Sequence, residues 1–255
     1  MARNPSERPL IWIAAGQALP PPEQAWGADS PAPGLVAASR DLSADRLVES
    51  YSQGIFPWYS NGQPVLWWSP DPRMVLRPKD FRFHRSLRQA LKRRQLEPGF
   101  SLSFDRDFHQ VIERCSQAPR SGQIGTWIVP EMVSAYHALH SMGLAHSAEL
   151  WLHGELVAGL YFVALGHAVF GESMFTTVSD GSKMTLALLV SVCLQHGIAA
   201  IDCQQNTRHL AFLGAQEIPR ADFLTQVHQA RCMPPVDWGQ QTLYWDLLTA
   251  LDNAS

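Results

Sequence analysis

Two spacings of apolar residues divide this chain, one near 3.6 and one of 2, and the change falls near Ser147. Before it, Leu10 to Ala15 is a short apolar run stopped by Gly16, Gln17 and Pro20, which predicts a first strand. The segment from Pro20 to Pro33 carries five prolines and no apolar period, so an exposed loop is expected there. Ser43 then reads as an N-cap, Leu47, Val48 and Tyr51 follow at helical spacing, and Gly54 closes a short amphipathic helix. Val65 to Ser69 and Met74 to Leu76 read as extended pieces joined by a proline-rich turn. Three amphipathic helices are predicted next, over 82–94, 105–115 and 130–142.

From Ser147 the alternation SAELWL, ELVAGLYFVAL and AVFGESMF, broken by HG and GH, predicts a three-stranded antiparallel meander. A helix over 182–196 follows, with Ser179 or Asp180 as its cap. After it come a short strand IAAIDCQ, a helix near 206–213 and a strand at 216–218. That order indicates a mixed α/β sheet.

The chain has 255 residues, 46% hydrophobic and 17% charged, with a formal net charge of −3, which fits a folded globular protein and excludes a generally basic coat. Any nucleic-acid partner must therefore meet a local patch. One exists: six basic residues and no acid lie between Arg82 and Arg94, with Arg85, Arg88 and Lys92 on one helix face. This face reads either as a solvated surface or as a phosphate-tracking one. The four cysteines show no metal or disulfide spacing, and no apolar run is long enough to cross a bilayer, so a reducing, cytoplasmic setting is expected.

Candidate chemistry gathers at two strand ends. Asp202 and Gln204 alternate with Ile201 and Cys203, which puts a carboxylate and an amide side by side where α/β sheets bind ligands. The alternative is that Asp202 caps the next helix or is a satisfied buried group. Glu172, amid Phe170, Gly171, Met174 and Phe175, is either an edge charge or a pocket carboxylate. Trp58 and Trp127 sit in loop settings, as core or as platforms for a base. His137, His140 and His146 lack the partners of a metal site, and dinucleotide, Walker and GxSxG motifs are absent, so no metal and no cofactor are expected.

The strings GIFPWYS, VLWWSPDPR, GTWI, HSAELWLHGELVAGLYFVALG, FGESMF, IDCQ and LGAQEIPRADF, in this order over about 34–231, resemble the bacterial leucyl/phenylalanyl-tRNA–protein transferases. The resemblance implies transfer of Leu or Phe, and also Met, from aminoacyl-tRNA to the α-amino group of a protein beginning with Arg or Lys, marking it for degradation. It implies a small N-terminal domain (1–72, with the proline loop), a catalytic domain similar to Gcn5-related acetyltransferases with a mixed, mostly antiparallel sheet (73–236), and a C-terminal tail (237–255). It assigns Glu172, Asp202 and Gln204 to the reaction centre and Trp58 and Trp127 to the terminal adenosine. Arg85, Arg88 and Lys92 would meet the acceptor stem, and Leu160, Val169, Leu186, Leu189 and Ile201 would surround the transferred side chain. Gln204 would accept a hydrogen bond from the attacking amine, with Asp202 orienting its amide and stabilising the developing ammonium; Glu172 would engage the cationic peptide or the ribose hydroxyls. Where the family has LLALGGDLS this chain has LVAASRDLS. Two other readings are an acyl-CoA N-acyltransferase of the same fold, which the loop TTVSDGSKM argues against for want of a glycine-rich pyrophosphate cradle, and a catalytically silent tRNA-binding module.

Overall fold

The computed structural model describes residues 9–118 and 128–251. In chain order its elements are β1 (Trp12–Ile13), β2 (Leu35–Ser39), α1 (Ala44–Ser52), β3 (Phe56–Pro57), β4 (Val65–Trp68) and β5 (Arg73–Leu76). Next come α2 (Arg85–Arg94), β6 (Ser101–Phe104), α3 (Phe108–Gln117), α4 (Pro130–Ser141), β7 (Ala145–Leu152), β8 (Glu155–Leu165) and β9 (Ala168–Thr176). The chain continues through α5 (Gly181–Gln195), β10 (Ile201–Gln204), α6 (Arg208–Phe212), β11 (Gln216–Ile218), α7 (Arg220–Ala230) and α8 (Trp245–Ala250). None of the described helices is long and apolar enough to cross a membrane.

A four-stranded sheet runs β1-β2-β4-β3 and a seven-stranded sheet runs β11-β5-β10-β9-β8-β7-β6. The two extended pieces either side of the SPDPR turn thus part company, β4 joining the small sheet and β5 the large one. In the large sheet only β9 and β10 pair in parallel; its other neighbours are antiparallel, which makes it mixed and mostly antiparallel.

Period-2 patterning explains how that sheet is covered on both faces. Along β8, Tyr161, Val163 and Leu165 enter the core beneath α3, α4 and the small sheet, while Leu160, Phe162 and Ala164 enter the core beneath α5. Helix α5 is buried around nearly its whole circumference, as an all-apolar helix must be. Its outer side is covered by α8, with Leu248 buried and Ser191 accepting a hydrogen bond from the Tyr244 N–H, while Trp238 packs beside it on Phe104, His146 and Phe162 of the sheet. Residues 237–251, expected as a tail, are therefore packed against the core.

Some local readings hold and others shift. Ser43 caps α1 by accepting from the Arg46 N–H. Asp180 occupies the N-cap position of α5, but in a left-handed conformation, with its carboxylate on Lys183 at 2.7 Å and not on the helix N–H groups. Within the proline segment Pro22–Gln24 forms a 3-10 turn with Pro22 and Ala25 buried, because proline at the first helical position already has the required φ. Strand β6 and helix α7 were not read from the pattern. In β6 the polar alternation of Ser101 and Ser103 hides a strand whose partner is β7.

Candidate functional site

The site begins where two strands separate. β9 and β10 pair only through Val169–Ile201 and Phe170–Asp202, after which β10 is bulged between Asp202 and Gln204 and the strands diverge. Gly171 stands at the fork: a Cβ there would lie 3.3 Å from the Asp202 carbonyl oxygen. Beyond it opens a cavity of about 460 Å³.

Apolar walls come from Leu160, Met174, Leu186, Leu189 and Ile201, and the polar end from Glu172, Asp202 and Gln204, with Phe56 and Trp58 bordering it. Eight residues singled out in the sequence thus converge here: Trp58, Leu160, Glu172, Leu186, Leu189, Ile201, Asp202 and Gln204. Val169 does not line this cavity. It is paired with Ile201 one step inside the fork and sits in the α5 core. Trp127 lies outside the described residues. The basic helix is elsewhere on the surface, with Arg85 and Lys92 exposed, Leu87 and Leu91 buried behind them, and the Lys92 ammonium 5.4 Å from the Trp245 ring. Arg88 is half-buried.

Asp202 is held by a residue 129 positions away. The Arg73 guanidinium, fully buried, donates to Asp202 through Nε at 2.8 Å and Nη2 at 2.6 Å, and lies over the rings of Phe56 and Phe223 at 4.7 and 4.4 Å. Such a bidentate pair compensates both charges in the apolar interior, while Arg73 Nη1 is buried without a hydrogen-bond partner among the described residues. Asp202 Oδ1 also accepts from the Gln204 backbone N–H at 2.9 Å, which pins Gln204 in its left-handed conformation (φ 64°). Two expectations change. Asp202 orients Gln204 through its backbone and not through its amide, and its charge is compensated by Arg73. Nor does it cap α6, whose N-cap is Thr207, accepting from the Leu210 N–H.

The Gln204 amide donates through Nε2 to Glu172 Oε1 at 3.0 Å, which leaves its carbonyl oxygen as an acceptor. Tyr136 donates to Glu172 Oε2 at 2.9 Å and is hydrogen-bonded in turn to the Tyr51 hydroxyl. Burial pushes the Glu172 carboxyl up to about 7; the charge of Asp202 adds to the rise, and the hydrogen bonds from Tyr51, Tyr136 and Gln204 oppose it. Burial and the Glu172 charge raise both tyrosine hydroxyls far above the usual phenol range, so they remain donors. The Cys203 thiol, also on the cavity wall, is pushed up by burial and is no thiolate nucleophile at neutral pH.

Sequence reasoning missed Arg73, Tyr51 and Tyr136. A lone cation opening the apolar strand RMVL was the signal for Arg73, since a strand position in a sheet core tolerates a charge only with a partner. Tyr51 was read as a core position of α1, and it is one, but its hydroxyl reaches the site. Among the described residues, no cluster of three His, Cys, Asp or Glu could hold a metal ion.

An apolar cavity with one amide acceptor and one carboxyl poised near neutrality suits acyl transfer to an amine. Comparison with known proteins agrees. Residues 75–228 match the leucyl/phenylalanyl-tRNA protein transferase family and 40–71 match that family's N-terminal domain. The chain is 55% identical over 246 residues to the leucyl/phenylalanyl-tRNA–protein transferase of Polaromonas sp. (strain JS666), covering 95% of this chain and 96% of that one. It is 51% identical to that of Albidiferax ferrireducens, covering 97% of each, and 53% identical to that of Paraburkholderia phytofirmans, covering 89% and 93%. Among solved structures, a GCN5-related N-acetyltransferase-like protein from Streptococcus suis is similar at a TM-score of 0.31 and 18% identity, over 71% of this chain and 67% of that one, a score too low to bear on the reaction. Matched along most of its length, the chain belongs to the leucyl/phenylalanyl-tRNA–protein transferase family of aminoacyltransferases.

Proposed function

We propose that this enzyme moves Leu, Phe or Met from aminoacyl-tRNA to the α-amino group of proteins with N-terminal Arg or Lys, in the cytoplasm, as a step that commits those proteins to degradation. The observation that carries the reading is the junction of the apolar cavity with the Glu172–Gln204 pair. A side chain seated between Leu160, Leu186, Leu189 and Ile201 would leave its ester carbonyl at the polar end.

The aminoacyl ester is already activated, so positioning supplies much of the catalysis. The α-amine attacks the ester carbon, the bond to the ribose oxygen breaks, the nitrogen loses a proton and the ribose oxygen gains one. Gln204 accepts a hydrogen bond from the amine through the carbonyl oxygen that its contact with Glu172 leaves available. Glu172, with its pKa near 7, is matched to taking the proton that the nitrogen releases. Arg73 and Asp202 are positioning residues for the Gln204 backbone. Trp58 borders the cavity as a surface for the terminal adenosine, Trp127 has the same proposed role, and Arg85, Arg88 and Lys92 form the patch for acceptor-stem phosphates.

An acyl-CoA donor fits less well, because Asp180 brings a carboxylate to the start of α5, where a pyrophosphate would need bare N–H groups. The test is a transfer assay with leucyl-, phenylalanyl-, methionyl- and lysyl-tRNA and peptides beginning with Arg or Ala. Transfer of the first three to the Arg peptide alone is expected, with Gln204→Ala losing turnover while retaining tRNA affinity. Equal transfer of lysine, or acylation from acyl-CoA, overturns the reading.

A further inference from the structure

Phe212 ends α6 as a residue 54% exposed, an unusual position for a phenylalanine in a protein that otherwise buries most of its aromatic rings. The ring is not isolated. His84 stacks on it with centroids 4.4 Å apart and planes 28° from parallel, and the His84 Nε2 meets the Phe212 carbonyl oxygen at 3.3 Å. The Arg82 N–H donates to Leu213 at 2.9 Å, so the segment leading into basic helix α2 is tied to the end of α6. The stacked pair is thus a held surface and not a loose side chain.

Its placement gives it a use. The start of α6 belongs to the cavity, since Thr207, His209 and Leu210 line it, and Arg208 beside them is exposed. From Arg208 to Phe212 is roughly 6 Å along the helix axis, a distance one extended nucleotide covers. The exposed Arg82 and Arg85 flank His84 in the chain, and the Arg82 N–H contact with Leu213 brings them beside the end of α6. Cavity, aromatic ring and cations are therefore joined through the short helix α6 and its contact with the segment before α2.

We propose that the exposed face of Phe212 is a stacking platform for an unpaired nucleotide just upstream of the terminal adenosine, with Arg208 and Arg82 meeting its flanking phosphates. Base–aromatic stacking tolerates any base, and cations beside the ring follow the backbone, which favours a single-stranded 3′ end over a peptide as the occupant. The platform rests on the aminoacyl-tRNA reading proposed above. It extends that reading by naming how the donor is guided between the cavity and the basic helix.

Leucyl-adenosine and a leucyl-trinucleotide ending cytidine-cytidine-adenosine are compared as donors, and uncharged trinucleotide is titrated directly. In the wild type the trinucleotide is expected to be the better donor. Phe212→Ala should lower the ratio of kcat/KM for trinucleotide over leucyl-adenosine roughly tenfold and weaken direct trinucleotide binding to a similar degree. Phe212→Trp should keep the ratio, whereas Phe212→Leu, apolar but unable to stack, should lose it. A ratio unchanged in Phe212→Ala, retention in Phe212→Leu, or an effect confined to the KM of the acceptor peptide overturns the platform. Direct trinucleotide binding that depends on Phe212 in an enzyme inactive with every donor upholds the platform and overturns the transferase reading instead.

Discussion

Glu149 on β7 and Glu172 on β9 are two carboxylates of one sheet, facing the same layer of helices, and they are treated in opposite ways. Glu149 is fully buried and accepts from Ser103, Ser147, the Trp151 indole and the Asp107 backbone N–H, at 2.7 to 2.9 Å. Every acceptor position is taken, and the carboxylate ties the start of α3 to the sheet. Glu172 also has hydrogen-bond partners, but it stands at the fork where β9 and β10 separate and opens on a cavity. Saturation with donors makes a buried charge structural; a carboxyl facing space for a ligand, with its proton affinity raised, is available for chemistry.

The comparison can be broken most forcefully at Glu149. Glu149→Ala would leave three donors without an acceptor, the Trp151 indole keeping the Ser103 hydroxyl at 3.1 Å, and each buried unsatisfied group costs on the order of 1–3 kcal/mol, so at least about 3 kcal/mol of stability should be lost in urea unfolding. The folded fraction should transfer normally. A stable but inactive Glu149→Ala would assign the wrong carboxylate to chemistry.

Glu172→Gln should do the reverse. Losing a proton acceptor should cost roughly 100-fold in kcat and remove the inflection near pH 7 from the rate profile. Stability should move the other way. A carboxyl whose folded pKa is raised contributes stability fully present below its unfolded pKa near 4.5 and lost as pH rises through about 7. Wild type should therefore lose up to about 3 kcal/mol across that window, and Glu172→Gln should be the more stable protein at pH 8. An identical pH dependence of unfolding in both would remove the claim that Glu172 is perturbed.

Smaller effects sharpen the picture around the cavity. Leu189→Trp should narrow the apolar end and reduce transfer of Phe before that of Leu, by about 10-fold in the ratio of kcat/KM, the scale of discrimination expected from pocket shape. Equal losses for both would make Leu189 ordinary core. On the basic helix, Arg85→Glu with Lys92→Glu should weaken tRNA binding and lower the slope of log affinity against log salt by about 1 per lost phosphate contact. An unchanged slope would return the helix to a solvated face.

Local patterning was legible wherever one face of an element meets the core. The meander β7–β9 and the Ser43 cap follow from spacing and capping chemistry, and strand β10 from the short apolar run IAAIDCQ. The cavity leucines, by contrast, were assigned through the family resemblance. What the sequence could not display were contacts between residues far apart in the chain. Arg73 meets Asp202 across 129 positions and Tyr51 meets Tyr136 across 85, and no spacing rule connects them. The strict alternation read for IDCQ failed at Gln204 because a bulge and a left-handed residue interrupt it. Val169 was misplaced for a related reason: the point at which two strands part is a property of the pair.

The packing of residues 237–251 on α5 also sets an order of events during synthesis. α5 is apolar on every side, and its sheet-facing side finds cover as soon as β7–β9 have formed, all of which precede it in the chain. Residues 78–80 and α2, also earlier in the chain, cover part of its outer side, and the remaining strip waits for α8 and Leu248, which leave the ribosome later. Until then the nascent chain carries an apolar strip along this helix, a state open to chaperones and to premature association. A chain stopped at residue 236 would keep that strip uncovered.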